Sequence, residues 1–387
     1  MSDISNNGNS GSDNSDNDNS GNDVSDDVFR SPRPDSGLSM NDFDYRLPDS
    51  AIAQTPIEPR DSARLLDATM ADVEGRRIVH RHVYDLPSLL HEGDVLVLNE
   101  TRVIPARIKL QKPTGGAVEV LLVDRMSDGA WKALVRPSKR VPSGTVLVAG
   151  PDLSVEIGEV LDGGQRRVRL YGSSADGAVV ELSDADSEQA LERYGEAPLP
   201  PYITTTLSDS SRYQTTYART PGSAAAPTAG LHLTRELLDA CRAKGVAVHT
   251  VDLCVGLDTF RPVTVDRPED HNIHSERYRV SPETLAACVA ARAAGRRVVA
   301  VGTTSVRAIE SAAASGVAEG RTALFIYGDY PFRIVDVLMT NFHMPRTSLL
   351  LLIDAFAGPK WRAVYRVALE DGYRFLSFGD AMLLVRR

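Results

Sequence analysis

The chain has 387 residues, 42% hydrophobic and 25% charged, enough apolar material for a large soluble core spread over two or three domains. No apolar run approaches the roughly 20 residues of a membrane helix. Three cysteines (Cys241, Cys254, Cys288) without a CxxC pair argue against a disulfide framework or a structural zinc site. The net charge of −9 weighs against a nucleic-acid partner, but residues 1–40 carry −6 of it, so the remainder is nearly balanced and permits local basic patches.

In chain order, residues 1–40 form a Ser/Asn/Asp/Gly tract with too little apolar surface to offset its ordering entropy, and disorder is expected there. This polar start shows no signal peptide, so a cytoplasmic address without a membrane partner is expected. Leu86 to Gly93 reads as a short helix ended by glycine, and Asp94 to Leu98 as a buried strand. Between 99 and 195 the pattern changes to short β-type runs: Val118–Val123, Trp131–Val135, Thr145–Val148, Leu153–Ile157 and Arg167–Tyr171. Gly, Pro, Asp and Ser separate them closely, which predicts a compact antiparallel barrel or sandwich.

From 196 onward helices and strands alternate. Thr234 caps a helix that Gly245 stops, and a strand follows over 246–253. Ser281-Pro282 opens a second helix. Arg297–Val301 is then a strand, Ser305–Ala314 a helix, Leu349–Ile353 a strand and Pro359–Leu369 a helix. A strand pair is predicted over 373–384, around Phe378-Gly-Asp380. The fold class expected is α/β: a larger α/β domain (41–98 and 196–387) with an inserted small antiparallel β-domain, barrel or sandwich (99–195).

Five segments carry polar groups in patterns that suit chemistry. In Val298–Arg307 a buried strand ends at Gly302, and three hydroxyl residues open a helix. Free N–H groups there suit a carboxylate, phosphate or ribose, while plain N-capping by Thr304 or Ser305 fits equally. Ala226–His232 is small and apolar apart from Thr228 and His232, which suits close approach to a flat ligand or a tight packed loop. His271–Glu276 brings His274 and Glu276 to one face of an extended segment, a usable acid/base pair. Zinc there is disfavoured, because no ligand pair has a familiar metal spacing. Asn341 and His343 alternate with Met and Phe near a buried strand end. Arg102, Arg107 and Lys109, then Arg136, Lys139 and Arg140, form two basic clusters able to track phosphates or simply to face water. Val251–Asp258 loosely mimics a Rossmann glycine loop, but it has one Gly and Phe260-Arg-Pro262 breaks any following helix.

The order of these motifs is more specific than any one of them. Asp42-Phe-Asp-Tyr-Arg-Leu-Pro48, Asn99-Glu-Thr-Arg-Val-Ile-Pro-Ala-Arg107, Arg136-Pro-Ser-Lys139 and Pro198-Leu-Pro-Pro-Tyr-Ile203 lead the series. Ala225-Ala-Pro-Thr-Ala-Gly-Leu-His232, His274-Ser-Glu276, Gly302-Thr-Thr-Ser-Val-Arg307, Thr340-Asn-Phe-His343 and Tyr373–Met382 complete it. Over residues 42–387 the chain resembles the S-adenosylmethionine:tRNA ribosyltransferase-isomerase family of queuosine biosynthesis.

The resemblance implies transfer and isomerisation of the ribosyl part of S-adenosylmethionine onto a 7-aminomethyl-7-deazaguanine base at the tRNA wobble position. The product would be epoxyqueuosine, with adenine and methionine released. S-adenosylmethionine would be a co-substrate, tRNA bearing the deazaguanine precursor the partner, no metal would take part, and a monomer is expected. On residue type and matching position, His232, His274, Glu276 and His343 are the catalytic candidates, with His274 and Glu276 as acid and base. Thr228, Gly230, Thr303, Ser305, Arg307 and Asn341 are the candidates for S-adenosylmethionine. Arg102, Arg107, Arg136, Lys139 and Arg140 are those for RNA.

The chain departs from the family pattern where it reads Leu253-Cys-Val-Gly-Leu-Asp-Thr-Phe260. Cys254 replaces a His and Asp258 a Gly, and Gly328 and Asp354 stand where Pro and Ser are usual. A relative with an altered acceptor or no catalysis, binding S-adenosylmethionine or RNA only, is the alternative these changes raise.

Overall fold

The computed structural model describes residues 28–31, 35–112, 114–174, 178–256 and 262–387. Ten strands form one mixed sheet. Across it they run Val28–Phe29, Glu319–Thr322, Glu276–Val280, Ala247–Leu253, Val95–Asn99, Val298–Val301, Val337–Asn341, Ala381–Val385, Arg64–Asp67 and Val79–His82. The four central strands, from Ala247–Leu253 to Val337–Asn341, are mutually parallel. Their near-continuous apolar text follows from burial on both faces. Val95 and Val97 join a core with the helices Pro282–Ala293, Thr303–Ser315, Ser348–Ala357 and Trp361–Glu370. Leu96 and Leu98 point the other way, into a core with Leu86–Leu89 and Arg235–Ala243. The result is a layered α/β arrangement.

After Asn99 the chain leaves this sheet and returns to its immediate neighbour at Ala247. The outgoing strand Thr101–Val103 and the incoming strand Thr220–Ser223 pair with each other in parallel. The Gln214 amide clamps the crossing, accepting from the Val103 N–H and donating to its carbonyl, both at 2.9 Å. Between them lies an antiparallel sheet running Gly195–Glu196, Arg107–Gln111, Ala117–Arg125, Trp131–Arg136, Arg166–Ser173, Leu153–Val160 and Thr145–Gly150. Leu153, Val155 and Ile157 alternate inward onto Val168 and Leu170. The sheet curls into a half-barrel: Arg107–Gln111 and Thr145–Gly150 approach each other, with no ladder between them among the described residues. A helix unforeseen in the β-rich text, Asp184–Tyr194, caps it with Ala190 and Leu191.

Three expectations are corrected. Leu349–Ile353 is part of the helix Ser348–Ala357, capped by Thr347, whose hydroxyl accepts from the Leu350 N–H. The helix is buried almost all round, so its sequence lacks the polar stripe that marks helical periodicity. The predicted strand pair over 373–384 has one strand, Ala381–Val385. Its first half is a loop, because the Asp380 carboxylate takes the N–H groups of Arg64 and Arg374 and folds the chain back on itself.

The expected disorder of 1–40 does not reach its last part. Val28–Phe29 pairs in parallel with Arg321–Thr322, and the Ser31 hydroxyl bonds the Phe325 backbone. Ser36 donates twice to the Glu269 carboxylate, at 2.7 and 2.6 Å. Residues 1–27 and 32–34 lie outside the described residues.

Candidate functional site

The parallel strands end at Asn99, Leu253, Val301 and Asn341, and the candidate residues cluster just beyond those carboxyl ends. Open α/β sheets place ligands there, because the loops and helix N-termini converge on that edge. Gly302, at φ 87°, makes the strand-to-helix turn that a side chain would strain, and it precedes the helix Thr303–Ser315. No side chain caps that helix, so its first N–H groups remain available. The expected capping by Thr304 or Ser305 does not occur. Ser305 instead turns back to the Val301 carbonyl at 2.7 Å and lines no cavity.

An inner cavity of about 570 Å³ is lined by Thr228, Thr303, Thr304, Asn341 and His343 among polar residues, with Tyr202 and Ser377 at its side and Val255, Phe342 and Leu349 as apolar walls. Two buried polar atoms of residues lining this cavity, Thr304 Oγ1 and Asn341 Oδ1, have no partner among the described residues. The Asn341 amide orientation is fixed, since its nitrogen donates to the Leu376 carbonyl at 2.9 Å and faces His232 Nε2 at 3.3 Å. Its oxygen is therefore a buried acceptor without a donor among the described residues.

His232 itself sits behind Asn341 in a small cavity of about 250 Å³ with Arg60, Arg212 and Ser377. Gly230 touches no ligand space: a Cβ there would lie 2.1 Å from the Tyr217 hydroxyl, so the glycine serves packing.

An outer, larger cavity of about 1470 Å³ shares Leu349 with the inner one, and the segment 254–256 lines both. It contains His271, His274, Glu276 and Arg307 from the large sheet's side, together with Arg277 and Arg321. Val123, Asp124 and Lys132 enter from the antiparallel sheet. Arg321 clips the two sheets together through Asp124 at 2.7 Å. His274 and Glu276 line this cavity together, Glu276 buried and His274 exposed. Glu276 is ion-paired with Arg307 and accepts from the Gly256 N–H at 3.1 Å. Cys254 opens onto this cavity and accepts from Arg277 at 3.2 Å, and burial pushes its thiol up to about 11, so it is neutral. Asp258 lies outside the described residues.

The candidates thus fall into two adjoining cavities and a niche behind them, rather than one pocket. Tyr202 and Ser377, hydrogen-bonded at 2.8 Å, and Thr304 were missed as site residues, though all three lie in motifs of the family pattern. Lys132 and Asp124 had no signal in the sequence, since only the tertiary fold brings them in.

Of the basic candidates, Arg102 pairs with Glu188 and Glu192 at 2.9 and 3.1 Å, and Arg107 faces Glu119 at 3.9 Å. Arg136, Lys139 and Arg140 are exposed, and no carboxylate pairs with them among the described residues. Arg136 lies about 13 Å along the strand Trp131–Arg136 from Lys132, and Lys139 and Arg140 follow in the turn Ser138–Arg140.

Burial pushes His343 down to about 3 and His232 down to about 4, with Asp380 opposing the shift at His232. Both rings are neutral at pH 7. An unfolded histidine near 6.5 binds a proton that the folded one refuses, so this stability is complete above pH 6.5 and drains as pH falls toward 4. Each ring contributes a slope of up to about 1.4 kcal/mol per pH unit in that window. Urea unfolding of His343→Gln should show a slope shallower by about one proton between pH 6 and 4.5; an unchanged slope would refute the assignment.

Fold and site define an α/β protein with a cavity at the carboxyl edge of its parallel strands, where two lining residues, Thr304 and Asn341, carry buried polar atoms without a partner among the described residues. Residues 40–384 match the family model described as queuosine biosynthesis protein, and the chain belongs to that family. It is 49% identical over 357 residues to the S-adenosylmethionine:tRNA ribosyltransferase-isomerase of Moorella thermoacetica, covering 90% of this chain and 100% of that one. It is 48% identical over 357 residues to the protein of the same name from Thermus thermophilus, covering 89% and 98%. A crystal structure of S-adenosylmethionine tRNA ribosyltransferase from Thermotoga maritima aligns at 35% identity and a TM-score of 0.49, over 89% of this chain and 99% of that one. Among the described residues no helix is long and apolar enough to cross a membrane, and no three His, Cys, Asp or Glu are grouped to hold a metal.

Proposed function

We propose that the chain is an S-adenosylmethionine-dependent tRNA ribosyltransferase-isomerase, which transfers and isomerises the ribosyl moiety of S-adenosylmethionine onto 7-aminomethyl-7-deazaguanine in the wobble position. Epoxyqueuosine forms and adenine and methionine leave. The observation that carries the reading is the pair of buried polar atoms, the Thr304 hydroxyl and Asn341 Oδ1, that lack a partner among the described residues and belong to residues lining a cavity that adjoins a larger charged one. Adenine, whose amine donates and whose ring nitrogens accept, satisfies both in the inner cavity. The tRNA base enters through the outer cavity.

The sulfonium acidifies the neighbouring 5′ hydrogens, and a base near the junction removes one to set adenine departure in motion. Glu276 and His274 are the groups of the right type on the outer side, and neutral His343 lies on the inner side. No metal takes part in this scheme. The half-barrel with Asp184–Tyr194 acts as an inserted barrel domain that presents Arg136, Lys139 and Arg140 to the tRNA backbone. The chain works in the cytoplasm as a monomer.

The test is incubation with S-adenosylmethionine and tRNA carrying the deazaguanine precursor, reading adenine release and nucleoside mass together. Adenine release stoichiometric with epoxyqueuosine is expected; neither product would refute the reading. Replacing Arg136, Lys139 and Arg140 with Ala together should weaken tRNA binding and cut its salt slope by up to about 3, leaving S-adenosylmethionine affinity alone. An unchanged salt slope would remove the cluster from the RNA path.

One observation favours a second reading. Cys254, a neutral thiol, lines the outer cavity where the family pattern has an imidazole. A chain with an altered acceptor would release adenine without forming epoxyqueuosine.

A further inference from the structure

Arg307 is 5% exposed, and its donors are unevenly used. Nη1 pairs with Glu276, and Nε donates to the Leu324 carbonyl at 3.2 Å. Nη2 is buried, with no partner among the described residues, on a side chain that lines the outer cavity. A buried cationic donor left unmade is costly, so a filled site should place an anionic oxygen there.

The helix sets how far that oxygen lies from the inner cavity. Thr303 and Thr304, four and three residues before Arg307, line the inner cavity, while Arg307 lines the outer one. Thr304 and Arg307, three positions apart, are neighbours on one face of the helix. A ligand with its base beside Thr304 therefore needs a charged arm that runs along this face to meet Nη2. A backbone phosphate is poorly suited to a guanidinium this deep, because polynucleotide contacts fall on exposed basic groups.

We propose that Arg307 Nη2 takes the α-carboxylate of the methionyl arm of S-adenosylmethionine, with Glu276 holding the guanidinium in place. This rests on the reading of the inner cavity as the adenine site. Arg307 is then the residue that distinguishes S-adenosylmethionine from its decarboxylated form.

The test is calorimetry on the full chain without tRNA, using S-adenosylmethionine and decarboxylated S-adenosylmethionine, for the parent, Arg307→Lys and Arg307→Gln. The parent should bind S-adenosylmethionine about 30-fold more tightly than the decarboxylated form. Arg307→Gln should lose that preference by weakening only the carboxylated ligand, and Arg307→Lys should keep part of it. A parent that binds both equally overturns the proposal without any substitution, so misfolding of a variant cannot shelter it. A preference undiminished in Arg307→Gln, or a loss confined to the KM for tRNA, also overturns it. If neither nucleoside binds the parent, the adenine-site reading falls instead.

Discussion

Asn341→Ala should lower kcat/KM for S-adenosylmethionine by about 100-fold, with little change in stability. The side chain is locked from behind: Leu376 can only accept, so the atom facing it is the amide nitrogen, and the oxygen is left to the cavity without a partner. A ligand donor meeting that oxygen gains a preorganised acceptor, and an alanine gives it nothing. Asn341→Asp separates this role from bulk. The second carboxylate oxygen would face the Leu376 carbonyl and His232 Nε2, so the variant should bind only once His232 is protonated. Its optimum should therefore move to lower pH. An Asn341→Ala variant with parental kcat/KM would mean that the orphaned oxygen faces no substrate.

Glu310→Ala should destabilise the fold by about 3 kcal/mol, read from urea unfolding with an unchanged m-value. Glu310 is fully buried and accepts three successive backbone N–H groups, from Arg333, Ile334 and Val335, at 2.8, 2.9 and 3.0 Å. Removing the carboxylate strands those donors. Glu310→Gln keeps one acceptor oxygen and should cost about half as much. The residue belongs to the helix that carries Thr304 and Arg307, and its partners lead into the strand that ends at Asn341. The clamp thus fixes the two walls of the inner cavity relative to each other, and Glu310→Ala should also weaken S-adenosylmethionine binding. A cost below about 1 kcal/mol would show that water or a rearranged loop replaces the carboxylate.

Much of the fold was legible because punctuation and pattern agree. Thr234 and Ser281 cap the helices they were expected to cap, and Gly245 and Gly295 end them with positive φ. The buried strand before Gly302 reads directly from its four apolar residues. Ser348–Ala357 misled because a helix buried on nearly every side carries no amphipathic stripe, and four consecutive leucines look like a strand.

At the site, residue types were legible and partnerships were not. Asn341 and His343 line one cavity, but so do Thr340, Phe342 and Met344, so alternation along the strand is not what places them there. Glu276 was paired by spacing with His274, two residues away, yet the fold gives it Arg307, 31 positions along the chain. Local periodicity cannot reveal an ion pair made by a strand and a helix that meet only in three dimensions. The same holds for Lys132 and Asp124, which reach the outer cavity from another sheet.

The pairing of Val28–Phe29 with Arg321–Thr322 gives the large sheet a hem. The family match begins only at residue 40, so this border is finished by a stretch lying upstream of it. A version cut back to Met40 would retain every residue lining the two cavities, yet leave the backbone of Arg321 and Ala323 as an adhesive rim, open to a neighbouring molecule's strand. Solubility, before turnover, is what such trimming endangers.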